Sequence, residues 1–153
     1  MRLFLDTNAI IDLFSNAGTS RQKSMRELVS ALRNTDSTFI LGATTIKDVS
    51  YLIECGAWFK SIVPDASRRK KLAYEAREFM FKQCEMCAVD QTICHQAHMN
   101  RDEPDFDDAI IAECARTARA DFIISSDVAA FNKSVIKKMS PEECIKYLEI
   151  NRE

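Results

Sequence analysis

The hydrophobic pattern of the chain switches repeatedly between short apolar runs and longer stretches in which apolar residues recur every three or four positions. A short apolar run bounded by polar residues is typical of a buried strand, and the longer spacing is typical of a helix. Four runs predict strands, and a weaker one predicts a fifth. These segments are Arg2–Leu5, Thr38–Leu41, Met86–Val89, Phe122–Ile124 and, for the weaker strand, Val135–Ile136.

Helical spacing and capping residues fill the intervals between these runs. The predicted helices are a short one after Asp6 that ends near Asn16 or Gly18, Ser20–Arg33, one opened by Thr44 or Thr45 that includes Ile46–Ile53, one capped by Asp65 or Ser67 that runs to Lys82, Thr92–His98 after Asp90, Asp105–Ala118, and a last helix opened by Ser140–Glu143. The last opening combines a capping box with proline at the first helical position.

Strands that alternate with helices predict a parallel sheet covered by helices on both faces. A length of 153 residues is sufficient for one domain with a full hydrophobic core. We therefore predict a single domain over residues 1–153, of the α/β class. Its expected architecture is a three-layer α/β/α sandwich around a central, mostly parallel sheet of about five strands.

The composition, with 46% hydrophobic and 29% charged residues, is ordinary for a globular protein in water. The apolar N-terminal stretch is interrupted by Asp6, Asn8 and Asp12, so we expect neither a signal peptide nor a membrane span. We accordingly expect a cytoplasmic protein, in which the six cysteines remain reduced thiols.

Acidic residues gather where the predicted strands end. Asp6 follows the first strand and Asp127 follows the fourth, while Asp48 lies one turn into the helix after the second strand. Asp105 and Asp108 open the helix that leads into the fourth strand, and their spacing allows both to lie on one helix face. Ligands of open parallel sheets bind beyond the carboxyl ends of the strands, so we expect these five carboxylates to lie together.

Carboxylates crowded at one place repel one another, and they remain ionised only where a cation compensates their charge. Oxygen ligands favour Mg²⁺ or Mn²⁺, and such ions activate water and neutralise charge on a phosphate. The cluster therefore predicts a metal-dependent enzyme that acts on a phosphate-bearing substrate. A simpler interpretation of each aspartate alone, as a helix cap, a turn cap or an exposed helix residue, stays open at this point.

Four motifs surround these aspartates: Leu5-Asp6-Thr7-Asn8, Thr45-Ile46-Lys47-Asp48, Asp105-Phe106-Asp107-Asp108-Ala109-Ile110-Ile111-Ala112, and Ile123-Ile124-Ser125-Ser126-Asp127 followed by Phe131. In this order, each beside its strand or helix, they resemble the motifs of the PIN-domain nucleases. The resemblance spans nearly the whole chain. Two positions depart from the family pattern, because Asp48 replaces the commoner Glu and Ser125 replaces the usual Thr.

The resemblance implies metal-dependent hydrolysis of phosphodiester bonds in RNA, with Mg²⁺ or Mn²⁺ as cofactor. The implied catalytic residues are Asp6, Asp48, Asp108 and Asp127, and the implied metal ligands are Asp6, Asp105, Asp108 and Asp127. Asn8 and Ser125 are expected to orient these carboxylates by hydrogen bonds.

Many small bacterial members of this family are VapC-type toxins that a small antitoxin protein holds inactive. The chain has the size of such a toxin, so the resemblance also implies an antitoxin partner. A PIN-like RNA-processing nuclease outside a toxin–antitoxin pair, and a PIN-like binding module whose site has decayed, remain alternatives.

Net charge gives no sign of nucleic-acid binding, since the chain has 21 basic and 23 acidic residues and a net charge of −2. RNA binding would then depend on a local basic rim, because affinity for phosphate depends on nearby Lys and Arg side chains. The candidates for RNA contact are Arg68, Arg69, Lys70, Lys71 and Lys133. Solvation of a helix face is the alternative role for the run at 68–71.

Two further features carry hypotheses of their own. Trp58 and Phe59, next to Lys60, indicate an exposed or interfacial aromatic pair, and from them we predict a homodimer or antitoxin contact. A zinc site is the second possibility, with ligands from Cys84, Cys87, Cys94, His95 and His98. Against zinc, Cys87 lies in an apolar strand, where a reduced thiol packs as a small hydrophobic group.

Overall fold

The central element of the fold is a parallel sheet, seen in a computed structural model that describes residues 1–15 and 17–151. Within these residues the sheet has five strands in the order β3-β2-β1-β4-β5, and every neighbouring pair is parallel. The strands are β1 (Arg2–Leu5), β2 (Thr38–Gly42), β3 (Cys84–Cys87), β4 (Phe122–Ile124) and β5 (Lys138–Met139). Because β1 is central, the residues that follow β1, β2 and β4 meet at one edge of the sheet.

Helices connect the strands and cover both faces. In the described part of the chain they are α1 (Thr7–Phe14), α2 (Ser20–Leu32), α3 (Ala43–Cys55), α4 (Ala57–Ile62), α5 (Ala66–Gln83), α6 (Gln91–Met99), α7 (Phe106–Thr117) and α8 (Pro141–Ile150). The predicted α/β/α sandwich is therefore confirmed, with a sheet that is parallel throughout.

The two faces of β1 show how the sequence builds this sandwich. Successive side chains of a strand point to opposite faces. Leu3 and Leu5 lie in the larger core, which is formed with α1–α5 and α8, and Phe4 lies in the smaller core beneath α6 and α7. All three side chains are fully buried, so the strand is apolar on both faces.

Several helix starts follow from their capping residues. The side chain of Asp65 caps α5 by accepting a hydrogen bond from Ser67 N, and Asp90 caps α6 by accepting one from Ile93 N. The predicted capping box at Ser140 is present at the start of α8. These caps satisfy amide groups that the first helical turn leaves without partners.

Other boundaries correct the sequence prediction. Neither Thr44 nor Thr45 caps α3, which begins directly after Gly42. Helix α1 ends at Phe14, before the predicted end at Gly18, and the alternative end at Asn16 lies outside the described residues.

A second helix, α4, follows α3 without having been predicted separately. Gly56 lies between the two helices, and its extended backbone ends α3 and precedes α4. Glycine is required at this position, because a Cβ atom there would lie only 2.4 Å from the carbonyl oxygen of Leu52.

Both edge strands lie away from their predicted positions. β3 occupies Cys84–Cys87 instead of Met86–Val89, since Cys84 pairs with Phe39 directly after α5 ends. β5 occupies Lys138–Met139 instead of Val135–Ile136, and Val135 is exposed. An edge strand is half solvated, so its residues need not form an apolar run.

Candidate active site

A cavity of about 260 Å³ opens at the carboxyl ends of the central strands. Five sequence-predicted aspartates line it, contributed by four different parts of the chain. The acidic lining is Asp6, Asp48, Asp105, Asp107, Asp108 and Asp127, and the remaining lining is Thr7, Asn8, Thr44, Thr45, Leu52, Ile110 and Ile111. The topology thus gathers carboxylates that are up to 121 positions apart, from Asp6 to Asp127.

Asp6 is the most enclosed of these carboxylates, with 3% of its surface exposed. Its backbone continues β1, since Asp6 N donates to the carbonyl oxygen of Ile124 at 3.1 Å. Its Oδ2 accepts a hydrogen bond from the hydroxyl of Ser125 at 2.7 Å. Asp6 precedes α1, but in the described structure its side chain makes no capping hydrogen bond, so helix capping does not explain it.

Ser125 links Asp6 to the loop that carries Asp127. While its hydroxyl donates to Asp6, its Oγ accepts a hydrogen bond from Asp127 N at 3.1 Å. Oδ1 of Asp127 in turn accepts from the amides of Ala129 at 2.8 Å and Ala130 at 3.3 Å. Asp127 therefore closes its own loop with one carboxylate oxygen while it lines the cavity.

The start of α7 delivers three more acidic residues to the same place. Asp105 is the N-cap of α7, and its Oδ1 accepts from the amides of Asp107 at 2.8 Å and Asp108 at 3.4 Å. Half of the Asp105 carboxylate is thus engaged in capping, which is the simpler role considered from the sequence. Asp107 lines the cavity as well, and its place beside Asp108 in the third motif was the only signal for it.

Asp48 and Asn8 reach the cavity with different partners. Asp48 lies in α3, and its Oδ1 is 3.1 Å from Nζ of Lys47, the neighbouring residue. Asn8 is exposed at the cavity wall. Among the described residues no hydrogen bond joins its side chain to Asp6, Asp108 or Asp127, so its predicted orienting role stays a prediction.

The ionisation of two aspartates reflects this crowding. Burial raises the pKa of Asp6 to about 6, although the hydrogen bond from Ser125 acts in the opposite direction. Burial also raises the pKa of Asp108 to about 7, and repulsion from Asp6, Asp105, Asp127 and Glu103 adds to the effect. Both carboxylates therefore hold their negative charge at a free-energy cost that a nearby cation would remove.

The carboxylate lining fits a hard divalent cation in its chemistry, because it is anionic and consists of oxygen donors. Within residues 1–15 and 17–151, however, no group of three or more His, Cys, Asp or Glu side chains is arranged so that it could hold a metal ion. The raised pKa values of Asp6 and Asp108 agree with mutual repulsion between carboxylates.

The alternative zinc group is not assembled. Cys84 packs against the larger core and Cys87 against the smaller one, on opposite faces of the sheet. His95 and His98 are exposed on α6. All six cysteines are free thiols in the structure.

The candidate RNA-binding residues lie in three different environments. Arg69 is buried, and its guanidinium donates to the carbonyl oxygens of Glu54, Val63 and Pro64 at 2.6–3.2 Å. Arg69 therefore holds the segment between α3 and α5 and is not available to RNA, which corrects its assignment to the basic rim.

Arg68 and Lys71 line a groove of about 910 Å³ between α2 and α5 (the basic groove), together with Arg26 and Arg33. Its lining also includes the acidic residues Asp65 and Glu75. Lys70 is exposed beside them, while Lys133 lines a separate cavity of about 530 Å³ near α6 and α7. Helix α1 leads from the acidic cavity, at its N-terminus, to the basic groove, which Leu13 and Phe14 line. At 1.5 Å per residue this separation is about 9 Å along the helix axis.

The aromatic pair predicted to be exposed is divided between interior and surface. Phe59 is 1% exposed and belongs to the larger core, which corrects its predicted exposure. Trp58 is 50% exposed, and its ring lies against that of Phe59 with centroids 5.9 Å apart. Of the two, Trp58 alone is available for a partner.

Solved structures with a similar fold come from three bacteria. VapC20 of Mycobacterium tuberculosis, described as a sarcin-ricin loop cleaving toxin, is 16% identical with a TM-score of 0.58, over 79% of this chain and 86% of that one. VapBC2 from Rickettsia felis, solved bound to a DNA fragment from their promoter, is 12% identical with a TM-score of 0.66, over 92% and 98%. FitAcB from Neisseria gonorrhoeae is 15% identical with a TM-score of 0.59, over the same shares.

The sequence itself matches one protein family over most of its length. No curated protein matches the chain. The model of the PIN domain matches residues 2–129, which include β1–β4 and all of the aspartates that line the acidic cavity. Together with the fold, this match shows that the chain belongs to the PIN-domain family.

Proposed function

We propose that this protein is a metal-dependent ribonuclease and the toxin component of a toxin–antitoxin pair. The observation that carries the proposal is the single cavity in which Asp6, Asp48, Asp108 and Asp127 lie beyond the carboxyl ends of the strands. Its acidic lining suits Mg²⁺ or Mn²⁺, with Asp6, Asp108, Asp127 and one oxygen of Asp105 as the residues that would hold the ion.

Each carboxylate has a distinct part in this proposal. Asp6 is the fixed ligand, since it is buried and its Oδ2 is held by Ser125. Asp108 would be stabilised by the charge of the ion, because burial and the neighbouring carboxylates raise its pKa to about 7. When bound, the ion activates water and neutralises charge on the scissile phosphate. Asp48 completes the site directly or through a water molecule.

RNA as the substrate is supported by the family membership and by one of the structural neighbours. VapC20 is described as a toxin that cleaves the sarcin-ricin loop, and it shares this fold. The names VapBC2 and FitAcB likewise connect the fold with toxin–antitoxin assemblies, which supports an antitoxin as the partner of this chain. In the described part of the chain no helix is long and apolar enough to cross a membrane.

The proposal is tested by cleavage of RNA under control of the metal. Purified protein is incubated with a mixed RNA substrate in Mg²⁺, in Mn²⁺ and in excess EDTA. Cleavage should depend on the metal and should be lost in Asp108→Asn, whereas Asp36→Asn, at an exposed aspartate before β2, should cleave as the parent does. Cleavage that continues in EDTA would contradict the proposed metal dependence. If no RNA is cleaved under any condition, the result would favour a PIN-like binding module whose site has decayed.

The toxin role needs a separate measurement. Induced expression in a bacterial host should arrest growth for the parent protein and not for Asp108→Asn. Cleavage in the test tube without growth arrest would instead support an RNA-processing nuclease outside a toxin–antitoxin pair.

A further inference from the structure

The loop that carries Asp127 (residues 125–132, the Asp127 loop) is held from one side by a lysine of the edge strand. Lys138 pairs with Ile123 in the sheet, and its half-buried side chain reaches the oxygen atoms of the loop. Its Nζ donates to the carbonyl oxygens of Asp127 at 2.5 Å, Ala130 at 2.7 Å and Val128 at 3.3 Å, and to Oδ1 of Asn132 at 3.1 Å. Such an arrangement orders the loop around one ammonium group.

The loop needs such an anchor because part of its backbone is strained. Phe131 has a φ of 62°, in the left-handed region that a residue with a side chain rarely adopts. Its ring is buried, and its amide donates to Oε2 of the buried Glu103 at 3.1 Å. Strained backbone of this kind persists only where surrounding contacts determine it. Lys138 and Glu103 supply these contacts to the peptide unit between Ala130 and Phe131, since Lys138 donates to its carbonyl oxygen and Glu103 accepts from its amide.

The shortest hydrogen bond of Lys138 is to Asp127, the residue of the loop that lines the acidic cavity. The ammonium group binds the backbone of Asp127, and Oδ1 of Asp127 is bound by the amides of Ala129 and Ala130. With its backbone and one carboxylate oxygen fixed, Asp127 has little freedom in how it faces the acidic cavity. These acceptors take up the donors of the ammonium group, so the N–H groups of Lys138 are engaged within the loop.

We propose that Lys138 is a positioning residue, which holds the Asp127 loop so that the Asp127 carboxylate faces Asp6 and Asp108 in the acidic cavity. The proposal rests on the proposed function, because the consequence of this placement is affinity for the divalent ion. Methionine, whose apolar side chain is nearly as long as the aliphatic part of lysine, would remove the ammonium group and leave the carbonyl oxygens of Asp127 and Ala130 without their common donor. The loop would then lose its order even in metal-free protein.

The test compares Lys138→Met, Lys138→Arg and, as a matched control, Lys137→Met at the exposed neighbouring residue. Hydrogen–deuterium exchange of metal-free protein should be faster in residues 125–132 of Lys138→Met, with the core strands unchanged. Titration calorimetry with MnCl₂ should show affinity reduced about tenfold or more, the size found when partners of metal ligands are removed. Lys138→Arg should recover most of both properties, and Lys137→Met should match the parent.

Unchanged exchange in the loop together with parent-like Mn²⁺ affinity in Lys138→Met would overturn the proposal. Faster exchange throughout the core, with no recovery in Lys138→Arg, would show a general stabilising role and would overturn it too. If the parent itself binds no Mn²⁺, the proposed function fails, and the loop exchange of the metal-free variants then decides the positioning role alone. The RNA-cleavage assay separates an effect on catalysis from an effect on RNA binding. In Lys138→Met, kcat should fall, while KM for RNA stays within about twofold of the parent.

Discussion

The hydroxyl of Ser125 donates a hydrogen bond to Oδ2 of Asp6 across 2.7 Å and so joins the residues that follow two neighbouring parallel strands, β1 and β4. The same oxygen atom accepts the amide of Asp127 at 3.1 Å. One buried hydroxyl thus orients one carboxylate of the acidic cavity and the backbone of another. A hydrogen bond to a buried charged group also keeps that group ionised more readily.

Replacement of Ser125 by Ala should therefore impair the site more than the fold. Without the hydroxyl, the Asp6 carboxylate loses its donor and its pKa should rise further, so Mn²⁺ affinity and RNA cleavage should fall about 10- to 100-fold. Ser125→Thr retains the hydroxyl and should remain close to the parent. Titration calorimetry and cleavage rates measure both variants. Equal loss in Thr and Ala variants would show that packing around residue 125, not its hydroxyl, is what matters.

The raised pKa values of Asp6 and Asp108, to about 6 and about 7, predict how stability depends on pH in metal-free protein. In the unfolded chain an aspartate has a pKa of about 3.9, so the folded state binds more protons between these values. The stability that these groups contribute is fully present below about pH 4 and is lost as pH rises through 6 and 7. Thermal melting in EDTA should therefore show a falling Tm over this window.

Asp108→Asn isolates this contribution from all other titrating groups. The variant cannot ionise at residue 108, so its Tm should exceed that of the parent by more at pH 8 than at pH 5. Addition of MnCl₂ should raise the Tm of the parent at pH 8 and should affect the variant much less. A Tm that is lower in Asp108→Asn at both pH values would instead assign Asp108 to the start of α7 as a stabilising charge.

The fold could be predicted from the sequence where hydrophobic pattern and chain chemistry agree. Helices cover both faces of β1, β2 and β4, so these strands are apolar on both faces. Their continuous apolar runs therefore predict them from the sequence. β5 could not be predicted in this way, because one of its two residues is Lys138, whose side chain turns back to bind a loop. That contact exists only once the chain has folded, and no local pattern encodes it.

The acidic residues of the site were predictable because parallel strands bring their carboxyl ends together. The roles of neighbouring groups were less so. Glu103 carries no sequence signal of its own, and it is buried, accepts the amide of Phe131 and contributes to the raised pKa of Asp108. Arg69 belonged to a basic run in sequence, but the helix turns its side chain inward to three carbonyl oxygens. Helical rotation decides which members of a charge run face water.

The basic groove should contribute to RNA binding through Arg68 and Lys71, which line it beside Arg26 and Arg33. The first residues of α1 line the acidic cavity and its last residues line this groove, about 9 Å apart along the helix axis. Charge reversal in the double variant Arg68→Glu, Lys71→Glu should weaken RNA binding and make its salt dependence shallower, because fewer phosphates are neutralised. Binding curves at several salt concentrations measure both properties, and Mn²⁺ affinity should not change.

Lys146→Glu serves as the control for that variant, since it reverses a charge at an exposed site on α8. Lys146→Glu changes the net charge by half as much as the double variant. If it lowers the free energy of RNA binding by about half as much, the effect is one of net charge, and the groove is not the RNA surface. Arg69→Ala tests the structural role of Arg69 separately. It should lower the thermal stability, because three carbonyl oxygens lose their donor, without a specific change in the salt slope.

Trp58 is the residue from which we predict a contact between two copies of the chain. Its neighbour Phe59 is buried and anchors α4 to the core, whereas half of the Trp58 side chain faces solvent. A large aromatic side chain held against a rigid neighbour loses little entropy on binding, so such residues often dominate interfaces. Light scattering should show a dimer for the parent protein and for Phe81→Ser, an exposed aromatic control on α5, but a monomer for Trp58→Ser. A monomeric parent, or a dimer that survives in Trp58→Ser, would contradict this prediction and leave Trp58 to an antitoxin or to solvent.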